Sequence, residues 1–211
     1  MWDTGACQYF RVVDYKTGKK DFDYCDVFNG VGLQMLLYLF ALRDSGGEVL
    51  GDKPVAAGVQ YFPARAPYLP VEGRVDAQSA QAQRKPTWRR KGLLLEDESV
   101  LQAMEPGEDP QRMSYSIRKD GTLVGDLANR EQLKLLREYV FQVLAGLVED
   151  IASGNVEPNP YTRGTSHSAC DFCPYGTVCH KEQVEGRRNY KTMTAQRFWE
   201  EIEKERNRHG R

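Results

Sequence analysis

The sequence predicts an α/β or α+β fold in one domain, and three features carry that prediction. Two runs rich in aromatic and β-branched residues, Cys7–Tyr15 and Val55–Ala64, read as strands. Phe28–Arg43 is apolar on nearly every face and reads as a buried helix. Asn129–Ser153 repeats Leu133, Leu136, Val140, Leu144, Leu147 and Ile151 at spacings of three and four, the period of an amphipathic helix. Nothing in the pattern marks a second hydrophobic core.

Between these elements the chain reads in order. Lys16–Asp26 is a polar turn pivoting on Gly18, and Asp44–Pro54 is a loop. Pro63 ends the second strand. Pro67–Pro86 is polar, aperiodic and rich in Gln and Ala, and is expected to be a mobile loop. Arg84–Met104 follows as a basic patch and a short helix starting near Glu96. Tyr115–Gly125 suggests a hairpin with its turn at Asp120-Gly121. Asn129 suits the N-cap of the long helix, with Gln132 at the capping-box position, and Gly154 suits its stop. A charged helix is expected from Thr194. The expected organisation is a core over residues 8–62, a basic insertion over about 64–92, a helical part over 96–153, a cysteine segment over 161–190 and a C-terminal helix over 194–208.

With 211 residues, 40% hydrophobic and 28% charged, the composition is that of a soluble globular protein. A net charge of −1 gives no overall pull toward nucleic acid or membrane, so any polyanion site must be local. Leu33–Leu42 is the longest apolar stretch and is about half of a bilayer-spanning helix. The first residues carry no charged leader with an apolar run, so no signal peptide is expected.

Three of the five cysteines fall within Ala169–His180. An odd count with tight clustering argues against a disulfide framework and for a metal site in a reducing compartment. Cys170, Cys173 and Cys179, at C-x2-C-x5-C spacing, can turn their thiolates onto one metal. Spacing alone leaves three outcomes open: zinc, completed by His167 or His180, an iron–sulfur cluster needing a fourth thiolate, or thiols that bind nothing. Cys7 and Cys25 read as small buried apolar residues.

Asp14 and Lys16 share one face of a strand, because side chains two apart point the same way. Most such pairs are solvated ion pairs. Gln34 and Tyr38, four apart on the following helix, are its polar members. Buried and unsatisfied they would cost roughly 1–3 kcal/mol each, so either they have partners or they point outward. Arg84, Lys85, Trp88, Arg89, Arg90 and Lys91 combine positive charge with an aromatic ring, which suits phosphate contact and base stacking as well as a solvated basic loop.

The strand Val12–Lys19, the helix Gly32–Leu42 and the C-x2-C-x5-C cluster, in that order, resemble the RecB-like nucleases of the PD-(D/E)xK superfamily, and among them the nuclease domains of the B subunits of AddAB-type helicase–nucleases. The resemblance implies a restriction-endonuclease-like core, a mixed sheet flanked by helices, with a C-terminal cysteine segment. It implies that Asp14 and the backbone carbonyl of Tyr15 bind Mg²⁺, that Lys16 orients the attacking water and stabilises charge, and that Gln34 and Tyr38 form the family's Q-x3-Y motif. Cys170, Cys173 and Cys179 would hold a [4Fe–4S] cluster whose fourth cysteine lies upstream. The implied activity is exonuclease action in double-strand break repair, with DNA and an AddA-type helicase–nuclease subunit as partners, in the bacterial cytoplasm at the nucleoid. Against that family the chain is expected to be a C-terminal fragment with little nuclease activity of its own. The rival expectation is a non-catalytic zinc or iron–sulfur module that binds DNA or protein.

Overall fold

A computed structural model describes residues 2–3, 8–18, 20–51, 54–65, 68, 70–71, 73–84, 88–107, 110, 112–163, 167–180 and 188–209. The elements run β1 (Trp2–Asp3), β2 (Gln8–Lys16), α1 (Tyr24–Phe28), α2 (Gln34–Ser45), α3 (Gly47–Leu50), β3 (Val55–Pro63), α4 (Ala77–Arg84), β4 (Lys91–Leu95) and α5 (Glu98–Met104). They continue with β5 (Tyr115–Ile117), β6 (Leu123–Gly125), β7 (Leu127–Ala128), α6 (Arg130–Ala152), β8 (Tyr161–Arg163), β9 (His167–Ser168), α7 (Gly176–Cys179), β10 (Arg188–Asn189) and α8 (Ala195–His209). The chain forms two compact units, one of residues 1–22 and 34–137, the other of residues 23–33 and 138–211.

The first unit is built on a mixed five-stranded sheet in the order β1-β2-β3-β4-β7. β2 and β3 run parallel, β3 and β4 antiparallel, and β4 and β7 parallel. β3 lies at the centre and is buried from Ala56 to Tyr61, as an apolar run covered on both faces should be. α2 packs on β2 and β3 through Met35, Leu36, Leu39 and Phe40. Leu94, Leu101, Met113 and Tyr115 form a further buried cluster. Gly58 makes the close β3–β4 approach possible: at φ +128 its Cβ would lie 2.3 Å from the Leu93 carbonyl oxygen.

The expected helix over Phe28–Arg43 starts only at Gln34, as α2, and Phe28 is the last residue of the separate helix α1. α1 ends at Asn29, whose Nδ2 donates to the Cys25 carbonyl at 2.7 Å, and Gly30 and Gly32 at φ +75 and +68 turn the chain before α2 begins. Nor is α2 buried all round, since Gln34, Tyr38, Ala41 and Leu42 are exposed. Pro67–Pro86, expected to be a loop, contains α4. Asp76 starts it by accepting from the Ser79 amide at 2.9 Å and its hydroxyl at 2.7 Å. Within the stretch expected to be a basic patch running into a helix, Lys91–Leu95 is strand β4, and α5 begins at Glu98 behind an Asp97 cap. The region 96–153 carries three short strands beside its helices. The hairpin turns at Asp120-Gly121, with Gly121 at φ +82. At the head of α6 the capping box is present: the Asn129 amide donates to Gln132 Oε1 at 2.9 Å, and the Gln132 amide to Asn129 Oδ1 at 2.8 Å.

In the second unit α8 packs on α1. Tyr24, Phe28, Tyr139 and Trp199 surround Phe198, which is fully buried. A small sheet in the order β10-β8-β9 precedes and follows the cysteine segment. Among the described residues no helix is long and apolar enough to cross a membrane.

Candidate active site

β2 ends in Asp14, Tyr15 and Lys16, and its pleat places the first and third on one face. Lys16 Nζ stands 2.6 Å from Asp14 Oδ2, with the two side chains about a third exposed. In register across the sheet, Asp14 pairs with Tyr61 of β3, and Tyr61 with Lys91 of β4. The row is therefore a carboxylate on β2 and an ammonium on β4 with a buried tyrosine of β3 between them, and Lys16 adds a second ammonium beside Asp14 on β2. Tyr61 carries no such signal in the sequence, because a cross-strand row exists only once register is fixed. Lys91 also lies beside Asp126, whose carboxyl is pushed above the usual carboxylate range by burial, with Lys91 opposing that rise and Asp21 adding to it.

Gln34 and Tyr38 bond to each other, Gln34 Nε2 to Tyr38 Oη at 3.0 Å. Tyr38 is 51% exposed. Among the described residues neither bonds to Asp14 or Lys16, so the pair forms an open polar patch on α2 and meets its hydrogen-bonding need with itself and water.

The basic residues divide by their surroundings. Lys85 lies outside the described residues. Arg84 is exposed at the end of α4, and Trp88 is 38% exposed. Arg89 Nη2 donates to the Pro110 carbonyl at 3.3 Å. The Arg90 guanidinium lies 5.0 Å over the Phe62 ring.

Hard-oxygen donors suit a hard cation. The Asp14 carboxylate and the carbonyls at the end of β2 are such donors, and Asp14 holds a cationic group against it already, so the end of β2 fits Mg²⁺ in donor type. The cysteines fit an iron–sulfur cluster in donor type and fall short in number. Cys170 is half-buried, Cys173 and Cys179 are exposed, and all three are free thiols. Among the described residues no three His, Cys, Asp or Glu side chains are gathered to hold a metal. Cys7 lies outside the described residues. Cys25 is buried as expected, and its thiol is occupied: Sγ donates to the Met193 carbonyl at 3.3 Å and accepts from the Met193 amide at 3.2 Å. Burial pushes the Cys25 thiol above its ordinary range, an effect that the Met193 bond partly offsets. A raised pKa leaves less thiolate at any pH below it, and the thiolate is the reactive form. Iodoacetamide at mildly alkaline pH is therefore expected to modify Cys173 and Cys179 well before Cys25, as peptide mass spectrometry of a time course would show.

With its mixed sheet flanked by helices and a carboxylate and a lysine two apart at a strand end, the chain matches the PD-(D/E)XK nuclease superfamily over residues 3–180, and it belongs to that superfamily. It is similar to the B subunit of the ATP-dependent helicase/deoxyribonuclease of Moorella thermoacetica, 38% identical over 81% of the chain and 15% of that protein. It is likewise similar to the proteins of that name from a Thermoanaerobacter species, 33% identical over 100% of the chain and 19% of the relative, and from Acetivibrio thermocellus, 35% identical over 88% and 16%. The chain thus spans under a fifth of the length of these curated relatives.

Proposed function

We propose that this chain is the Mg²⁺-dependent DNA exonuclease domain of an AddB-type subunit, working with an AddA-type helicase–nuclease subunit on double-strand breaks during recombinational repair in the bacterial cytoplasm. The observation that carries the proposal is the Asp14–Lys16 pair at the end of β2 in a chain of the nuclease superfamily. The family match over residues 3–180 includes residues of both compact units, which supports reading them as parts of one nuclease domain.

In this reading Asp14 and the Tyr15 carbonyl would hold the cation, which when bound would supply Lewis-acid polarisation of the phosphodiester and a more acidic water. Lys16 orients that water and meets the charge that develops on the phosphoryl oxygens. Tyr61, pinned in the buried centre of the sheet, keeps Asp14 and Lys91 in register. Gln34 and Tyr38 present an exposed polar pair that can contact the DNA strand. Arg84, Lys85, Trp88, Arg89, Arg90 and Lys91 supply phosphate contact and stacking. Degradation of linear DNA by a whole AddB-type protein with its partner, with and without Mg²⁺ and with Asp14→Asn as the control, tests the reading. Cleavage indifferent to that substitution overturns it, and metal-independent DNA binding without cleavage would favour the non-catalytic module.

The proposal also places Cys170, Cys173 and Cys179 on a [4Fe–4S] cluster with a fourth cysteine from elsewhere in the longer protein; Cys25 is committed to Met193. The anaerobically purified whole AddB-type protein is expected to contain iron and acid-labile sulfide, both lost on Cys173→Ser. Bound zinc without sulfide would instead assign the cysteines to a zinc site.

A further inference from the structure

On the face of the sheet opposite Asp14 and Lys16, the same strand end carries a second row. Tyr15 pairs in register with Phe62, their ring centroids 5.1 Å apart and tilted by 55°. Arg90, immediately before β4, lays its guanidinium over the other ring of that pair, 5.0 Å from the Phe62 centroid. Aromatic neighbours across strands are ordinary packing, and Phe62 and Arg90, both half-buried, have that role. Tyr15 does not. It is 68% exposed, so its ring adds little to the core, yet Phe62 holds it in place.

The charge on this face is only partly compensated, by Glu105. Among the described residues Arg90 makes no ion pair, and its Nε is buried without a hydrogen-bond partner. Arg11, two steps down β2 on the same side as Val13 and Tyr15, has Nη1 in the same condition. Burial lowers the Arg11 pKa, and the charge of Arg90 lowers it further, with Glu105 opposing. Two guanidinium groups thus stand near each other on one side of the sheet, beside an exposed ring backed by a second ring. An anion joined to a flat π-system satisfies both features at once, and a nucleotide is that chemistry.

We propose that Tyr15, Phe62 and Arg90 form a binding site for one nucleotide of single-stranded DNA, the base stacking on the exposed Tyr15 ring and a phosphate pairing with Arg90. This rests on the nuclease reading above and deepens it: the residue between Asp14 and Lys16 is a positioning residue that holds an unpaired base as the strand passes over the end of β2. The preference is for single strands, because in a duplex the base faces are covered by their neighbours.

The test is fluorescence anisotropy of the full chain with labelled oligo-dT in EDTA, beside a duplex of equal length. Tyr15→Phe keeps the ring and is expected to bind oligo-dT as the parent does. Tyr15→Ala and Arg90→Gln are expected to lose about ten-fold or more in oligo-dT affinity. Tyr15→Ala should leave the duplex affinity close to that of the parent, which a purely structural role for Tyr15 would not predict. Oligo-dT binding by Tyr15→Ala equal to that of the parent overturns the proposal, as does an equal loss for duplex, or an absence of oligo-dT binding by the parent chain. The two readings fail separately. Loss of binding in Tyr15→Ala without any Asp14-dependent cleavage sustains the nucleotide site and removes the nuclease. Asp14-dependent cleavage with unaltered binding in Tyr15→Ala does the reverse.

Discussion

Asp14→Asn in a whole AddB-type protein is expected to lower Mg²⁺-dependent DNA cleavage by this domain by about three orders of magnitude or more, and Lys16→Ala by roughly 10²–10³-fold. The larger figure belongs to the carboxylate, because losing the cation forfeits several kcal/mol of charge stabilisation together with the activated water. Losing the ammonium forfeits one electrostatic contact that strengthens as charge builds on the phosphoryl group. The double variant should be little worse than Asp14→Asn alone, since groups acting on one charge-separated state do not contribute additively. Stability separates this account from simple unfolding. With both side chains about a third exposed, the 2.6 Å pair contributes roughly 0–1 kcal/mol to folding. Denaturant midpoints of the variants should therefore stay close to that of the parent while cleavage collapses. Lys16→Arg should not restore the rate, because a planar guanidinium differs in reach and hydration from a compact ammonium.

How much of this is legible in the sequence depends on how local each signal is. The alternation that puts Asp14 and Lys16 on one face is a property of nine consecutive residues, and β2 carries it. The Asn129–Gln132 capping box spans four residues and is present bond for bond. Signals that compete within a window mislead. In Phe28–Arg43 the apolar run conceals two glycines whose positive φ turns the chain and delays the helix to Gln34. Before Leu93–Leu95 the basic residues conceal a strand that begins at Lys91. Around Ala77–Arg84 a Gln/Ala composition looks featureless until Asp76 is recognised as its cap. Non-local features cannot be read at all. Tyr61 and Phe62 gain meaning from their pairing with Asp14 and Tyr15, and that register is set by the packing of β3 rather than by either segment alone. The unpaired guanidinium nitrogens of Arg11 and Arg90 belong to the same class.

Phe198→Ala is expected to cost about 3–5 kcal/mol, enough to unfold the second unit or bring it to the edge. The sequence of α8 disguises this. Glu200 to Arg208 alternates in charge and reads as a solvated face, and several ion pairs do line it, including Lys204–Glu201 at 3.0 Å and Arg208–Glu205 at 2.7 Å. Pairs of this kind stabilise a helix by only about 0.2–0.5 kcal/mol each. Phe198, by contrast, is fully buried, with ring centroids of Tyr24 at 5.2 Å, Trp199 at 5.0 Å, Tyr139 at 6.4 Å and Phe28 at 6.5 Å. Removing the phenyl group loses its transfer energy and leaves a cavity that four stiff rings cannot collapse to fill. Urea unfolding followed by tryptophan emission reads the comparison directly, because Trp199 packs against the deleted ring. Glu203→Ala, on the exposed side of the same helix, should shift stability by no more than about 0.5 kcal/mol. If Phe198→Ala shifted it as little, the charged face rather than the buried ring would be holding α8 in place, and the aromatic cluster could not be the core of that unit.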